Sequence, residues 1–231
     1  MIPRSLKLAV PASVAFGLLL PMASNAATIT PLKPCYARVP TEGAEPLTFA
    51  LAGGNPNTRF LLSGVDGAAS SVSGTFDAAG NASAVIPNGF GSGRSIGPSK
   101  GRTIPMQIQE YPIGSPSGVT GTANVTVTNV AMDINLKRRA PFSKATWTIS
   151  GLTPIVGPGT LYASYIRGTK GSKVVKRIKL GKPNACGYLR VRKVAPPARE
   201  FRTWTIYVHV GKKLDKSKSI SSRLRTYRTY Y

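Results

Sequence analysis

The feature that most constrains this chain is apolar–polar alternation over short runs between residues 143 and 210, each run cut off by Gly or Pro. Two of these runs carry tryptophan, Ala-Thr-Trp-Thr-Ile at 145–149 and Trp-Thr-Ile-Tyr-Val at 204–208. Between them lie 161–166, 173–180 and 188–194. Alternation with a period of two places successive side chains on opposite faces of a strand, so one face can pack while the other meets water. Gly (24) and Pro (19) recur too often in the 231 residues for long helices. The chain therefore reads as all-β.

A second set of strands precedes this stretch, at 35–39, 47–52, 59–63, 72–76, 82–86, 103–110 and 123–130. Tyr36 is expected to turn outward from the first of them. The runs 72–76 and 82–86 are expected to form a hairpin, because Asp77, Gly80 and Asn81 supply turn chemistry between them. Met132 then opens the later set in strict alternation. Thr48-Phe49 recurs as Thr146-Trp147, an offset near one sandwich domain in length. These signals predict two tandem immunoglobulin-like β-sandwich domains, 27–129 and 130–212, followed by a basic, tyrosine-rich tail at 213–231, part of which is expected to form a last edge strand. Residues 1–26 combine Arg4 and Lys7, a short apolar run and a small-residue site at Asn25-Ala26, which predicts a cleaved signal peptide. The expected location is secreted, with cell-wall association as a further expectation.

Charge divides the chain unevenly. Residues 28–128 hold six basic and five acidic side chains, whereas 129–231 hold 23 basic against Asp133, Glu200 and Asp215. Three carboxylates cannot neutralise 23 cations, so most of that charge must face solvent or an anionic partner. Along 173–180, Arg177 and Lys179 alternate with Ile178 and Leu180. Along 188–194, Tyr188, Arg190 and Arg192 alternate with Leu189 and Val191. If these strands are neighbours in one sheet, Arg177, Lys179, Arg190 and Arg192 form one cationic patch with Tyr188 beside it. Such a row suits phosphate or carboxylate. The expected partner is an anionic cell-wall polymer or an acidic glycan. The alternative is a structural or adhesive surface protein with no specific ligand. A nucleic-acid partner is disfavoured by the signal peptide unless the target is extracellular DNA.

Catalysis has little to work with. His209 is the one histidine, and alternation puts it outward with Thr205 and Tyr207, where it reads as an exposed strand residue without a nucleophile motif. One His and two separated Cys make no zinc spacing, and no phosphate-binding glycine loop occurs. The expectation is no catalytic residue, no cofactor and no metal. Cys35 and Cys186 are the only cysteines. An even count in an oxidising compartment favours a disulfide between the two domains, and the alternative is two buried, unpaired residues.

Four motifs carry a resemblance. They are Phe76-Asp77-Ala78-Ala79-Gly80-Asn81-Ala82-Ser83, Leu161-Tyr162-Ala163-Ser164-Tyr165, Ala185-Cys186-Gly187 and Thr203-Trp204-Thr205-Ile206. The chain resembles, in these motifs, two-domain secreted proteins of high-GC Gram-positive bacteria with immunoglobulin-like modules. The resemblance implies a fold and a compartment, and it implies no catalytic or binding residue.

Overall fold

A computed structural model describes residues 27–40, 42–90, 97–111, 118–137, 142–168, 173–195 and 201–226. The expected signal peptide, Arg138, Arg139, Glu200 and residues 227–231 lie outside them. Nine strands build the first half: β1 (Thr28–Pro31), β2 (Tyr36–Val39), β3 (Gly43–Ala44), β4 (Leu47–Ala52), β5 (Arg59–Gly64), β6 (Val72–Thr75), β7 (Ala82–Ile86), β8 (Arg102–Tyr111) and β9 (Gly118–Asn129). They form two sheets, ordered β1-β4-β7 and β3-β2-β9-β8-β5-β6. Leu47, Phe49 and Leu51 of the smaller sheet face Phe60, Leu62, Ile104, Met106, Ile108, Val125 and Val127 of the larger one. That is the alternating row the sequence requires, closed into one core.

The chain crosses to a second core between Asn129 and Ala131. There follow β10 (Ala131–Leu136), β11 (Lys144–Ser150), a short helix α1 (Leu152–Val156), β12 (Leu161–Arg167), β13 (Val174–Gly181), β14 (Leu189–Val194), β15 (Thr203–Val210) and β16 (Ser219–Arg225). Their sheets run β10-β11-β14 and β13-β12-β15-β16. At the centre of the core the Tyr165 ring meets Trp147 and Trp204 edge-on, with centroids 6.4 and 6.2 Å away. Each such ring, burying about 150–250 Å², contributes roughly 4–6 kcal/mol of gross transfer free energy.

The two halves share one topology. Setting β2 and β3 aside, the first, second and fifth strands of each half form the smaller sheet, and the fourth, third, sixth and seventh form the larger. Both are immunoglobulin-like sandwiches. Phe49 and Trp147, the pair related by the sequence offset, both lie on the second strand and are both fully buried.

Several local expectations change. β6 and β7 do not pair: β6 bonds to β5 and β7 to β4, so the 77–81 turn carries the chain from one sheet to the other. Its turn chemistry holds, since the Asp77 carboxylate accepts the backbone N–H groups of Ala79 and Asn81 at 2.9 and 2.8 Å. Tyr36 is fully buried rather than outward, and its hydroxyl donates to the Thr48 carbonyl at 2.6 Å, tying β2 to the opposite sheet. The lead-in before Cys35 contains β1. The edge strand expected within the tail is β16, which pairs along its whole length with β15.

The sandwiches are joined covalently as well as by the chain. Cys35 and Cys186 form a disulfide with Cα atoms 5.2 Å apart and 151 residues between them in sequence. Around it, Gly151 N–H donates to the Cys186 carbonyl at 2.8 Å and Ser150 Oγ donates to the Asn129 carbonyl at 2.6 Å. Gly151 has φ +83°, and a Cβ there would sit 2.6 Å from the Val130 backbone. Only glycine fits both the angle and the space. Among the described residues, no helix is long and apolar enough to cross a membrane.

Candidate functional site

The five residues expected to form one patch are divided by the topology. β13 belongs to the larger sheet of the second sandwich and β14 to the smaller, both at sheet edges. Ile178 and Leu180 point into the core from one sheet, Leu189 and Val191 from the other. Their alternating partners therefore point away from the core on opposite sides of the molecule. Arg177 and Lys179 lie on one outer face; Tyr188, Arg190 and Arg192 share the other. The cause is the same sheet-to-sheet crossing that separates β6 from β7, repeated between β13 and β14.

On the smaller sheet, β10 and β14 flank β11 in two outward rungs, Asp133–Thr148–Arg190 and Asn135–Thr146–Arg192. Lys144, two residues before Thr146, joins this face, as does Lys137 beyond the end of β10. Sequence reasoning that begins the strand at Ala145 passes over Lys144, although the outward row Lys144, Thr146, Thr148 is visible in the alternation.

On the larger sheet, Arg177 aligns with Ser164 and Tyr207, and Lys179 with Tyr162 and His209. His209 has the outward register expected for it, yet it is buried, 1% exposed. β15 is a central strand, and the Tyr162 ring stacks beside the imidazole at 6.3 Å between centroids. Ser164 Oγ sits 2.8 Å from His209 Nε2 and accepts a hydrogen bond from Arg177 Nε at 3.2 Å. Burial depresses the imidazole pKa below its ordinary value, and the neighbouring Arg177 cation adds to the shift. A neutral imidazole can then accept a hydrogen bond from the Ser164 hydroxyl at Nε2 while Arg177 Nε donates to the same oxygen. The chain Arg177–Ser164–His209 orients the guanidinium of one expected binding residue. In the core beneath, burial raises the Tyr165 hydroxyl well above the usual tyrosine range, and that hydroxyl has no hydrogen-bond partner among the described residues.

The described carboxylates of this half do little to offset the cations. Asp215 accepts the backbone N–H and hydroxyl of Ser217 at 3.0 and 2.6 Å, which lowers its pKa and commits it to its own turn. Asp133 is exposed and makes no ion pair among the described residues, where the ion pair present is Lys33–Glu45 at 2.7 Å in the first sandwich. No cluster of three metal-ligating side chains occurs among the described residues.

No family model and no curated protein matches the chain. Solved structures similar to it include a segment of two fibronectin type-III domains from chicken tenascin, 11% identical over 87% of this chain and 99% of that one, TM-score 0.31. The D0-D1 domain of intimin is 13% identical over 87% of this chain and 98% of that one, TM-score 0.31. The BSP domain of a biofilm-associated protein is 12% identical over 87% of this chain, TM-score 0.26, and the match spans only 29% of that longer chain.

Proposed function

We propose that the protein is an exported, non-enzymatic module of two immunoglobulin-like sandwiches that associates with anionic envelope polymer through its basic second sandwich. One observation carries this reading: both outer faces of that sandwich present cations, and its described carboxylates do not neutralise them. An ordinary soluble surface mixes the two signs. The disulfide supports an oxidising, extracytoplasmic location. Because the cations lie on two opposite faces, the module engages a flexible chain or mesh from both sides instead of docking one flat patch.

The test is cosedimentation of the full protein with isolated cell-wall fractions at low and high salt. Retention is expected at low salt and is lost as salt rises, because contacts to exposed charges are screened. Arg177→Ser/Lys179→Ser and Arg190→Ser/Arg192→Ser each weaken retention, and the four substitutions together weaken it most. Retention indifferent to both salt and the quadruple variant would overturn the reading.

A further inference from the structure

The outer face of the β10-β11-β14 sheet holds a cleft of about 480 Å³, lined by Asn135, Lys137, Ser143, Lys144, Thr146 and Arg192. We propose that this cleft is a phosphate seat, in which Lys137, Lys144 and Arg192 hold one phosphate-bearing unit of a polyanionic envelope chain. This deepens the reading above and rests on it for the identity of the polymer.

The placement follows from the register. Asn135, Thr146 and Arg192 are opposite one another across three adjacent strands, so their side chains form one outward rung. Lys137 and Lys144 extend the same face toward the open end of the sheet. All three cations are exposed, and none makes an ion pair among the described residues. Among the described residues the lining contains no carboxylate. The acid on this sheet, Asp133, belongs to the next rung, where it sits across Thr148 from Arg190. Arg190 thus has a counter-charge in its own rung and Arg192 has none. That asymmetry singles out the Arg192 end of the face.

Charge matching selects the ligand class. Three cations around one cleft exceed what a lone carboxylate, at −1, balances. A phosphomonoester carries about −1.5 to −2 at neutral pH, and two successive phosphodiesters carry a similar total. The Arg192 fork suits two oxygens of one phosphate, while Asn135, Ser143 and Thr146 offer neutral donors to the remaining oxygens. The volume falls within the range that holds a small organic unit, so the seat admits a phosphate with its adjoining polyol rather than a bare ion.

The experiment titrates the full protein with inorganic tripolyphosphate and with poly-glutamate at fixed salt, following the backbone amides by NMR and affinity by calorimetry. Tripolyphosphate is expected to shift residues 135, 144, 146 and 192. Lys144→Ser/Arg192→Ser is expected to weaken it by at least about tenfold, and Arg177→Ser/Lys179→Ser on the opposite face by less than about twofold. Equal losses in the two variants, shifts centred on β12 and β15, or poly-glutamate binding as tightly would overturn the seat. Tighter capture of duplex DNA than of polyphosphate chain at the same salt would overturn its assignment to an envelope polymer. The amide shifts of the unsubstituted protein keep the test decisive if the double variant folds poorly. Wild-type protein that fills the cleft with tripolyphosphate yet is not retained on cell wall sinks the broader function and leaves the seat. Wall retention unchanged by Lys144→Ser/Arg192→Ser, with no tripolyphosphate shifts, sinks the seat and leaves the function.

Discussion

Replacing both cysteines, Cys35→Ala/Cys186→Ala, should uncouple the two sandwiches. The disulfide spans 151 residues, but the relevant loops are shorter because the cores are separate. If the first sandwich unfolds while the second stays intact, the freed chain is pinned at Cys35 and at the crossover near Ala131, a loop of roughly 95 residues whose closure contributes about 4.7 kcal/mol. If the second unfolds alone, the pinned loop from Ala131 to Cys186 is roughly 55 residues and contributes about 4.2 kcal/mol. Domains of this size lose about 4–8 °C for each kcal/mol, so each transition should fall by at least about 17 °C. The two tryptophans separate the events, since Trp147 and Trp204 both sit in the second core. Tryptophan fluorescence follows the second sandwich, and far-ultraviolet circular dichroism follows both. A double variant melting within about 2 °C of the parent by both probes would refute the clamp, because that shift corresponds to under about 0.5 kcal/mol.

Two further substitutions test the second core. Tyr165→Phe removes a fully buried hydroxyl that has no partner among the described residues, so stability measured by urea unfolding should rise by about 1 kcal/mol; a fall of that size would mean the hydroxyl is satisfied. His209 titrates lower in the folded state than in the unfolded chain. Below the unfolded value near 6.5 the unfolded state binds the extra proton, so stability is lost as pH falls from 7 through 6.5 toward the folded value. His209→Gln should flatten that part of the curve, and an unchanged acid slope in this variant would remove the imidazole from the account.

Strand positions are legible in this sequence because alternation reports which residues share a face. Which strands pair is not. The 72–76 and 82–86 runs flank a sound turn, and 173–180 and 188–194 are consecutive, yet both pairs straddle the sandwich. A short connection says that two strands are close; it does not say that they share a ladder. Both cases fall at the same point of the repeated topology, between the fourth and fifth strands. Burial on outward rows is hidden for a related reason. His209 and Thr205 are outward by register, but a central strand lends them neighbours on both sides, and Tyr162 and Ser164 cover the imidazole. The edge strand within the basic tail is legible from Ile220 and Leu224, which β16 packs on the core, although the cations around them obscure its bounds.

The placement of the cations also bears on the alternative reading, a structural or adhesive surface protein with no specific ligand, in which the charge would need some other use, such as protecting sheet edges. Edge strands offer unpaired backbone groups, and a charged side chain on an edge blocks pairing with another chain. In the second sandwich the edges β13, β14 and β16 carry Lys176, Arg177, Lys179, Arg190, Arg192, Lys193, Arg223 and Arg225, whereas the central strand β15 carries no Lys or Arg. The first sandwich repeats the same topology, and its edges β1, β3, β6 and β7 contain no charged residue at all. Edge protection therefore does not demand such charge in this architecture. Nor does it demand one sign, since a carboxylate interrupts a ladder as an ammonium does. Eight cations on three edges, against the single acid Asp133 on the fourth, is a bias of sign that edge protection leaves unexplained and that the proposed anionic partner would account for.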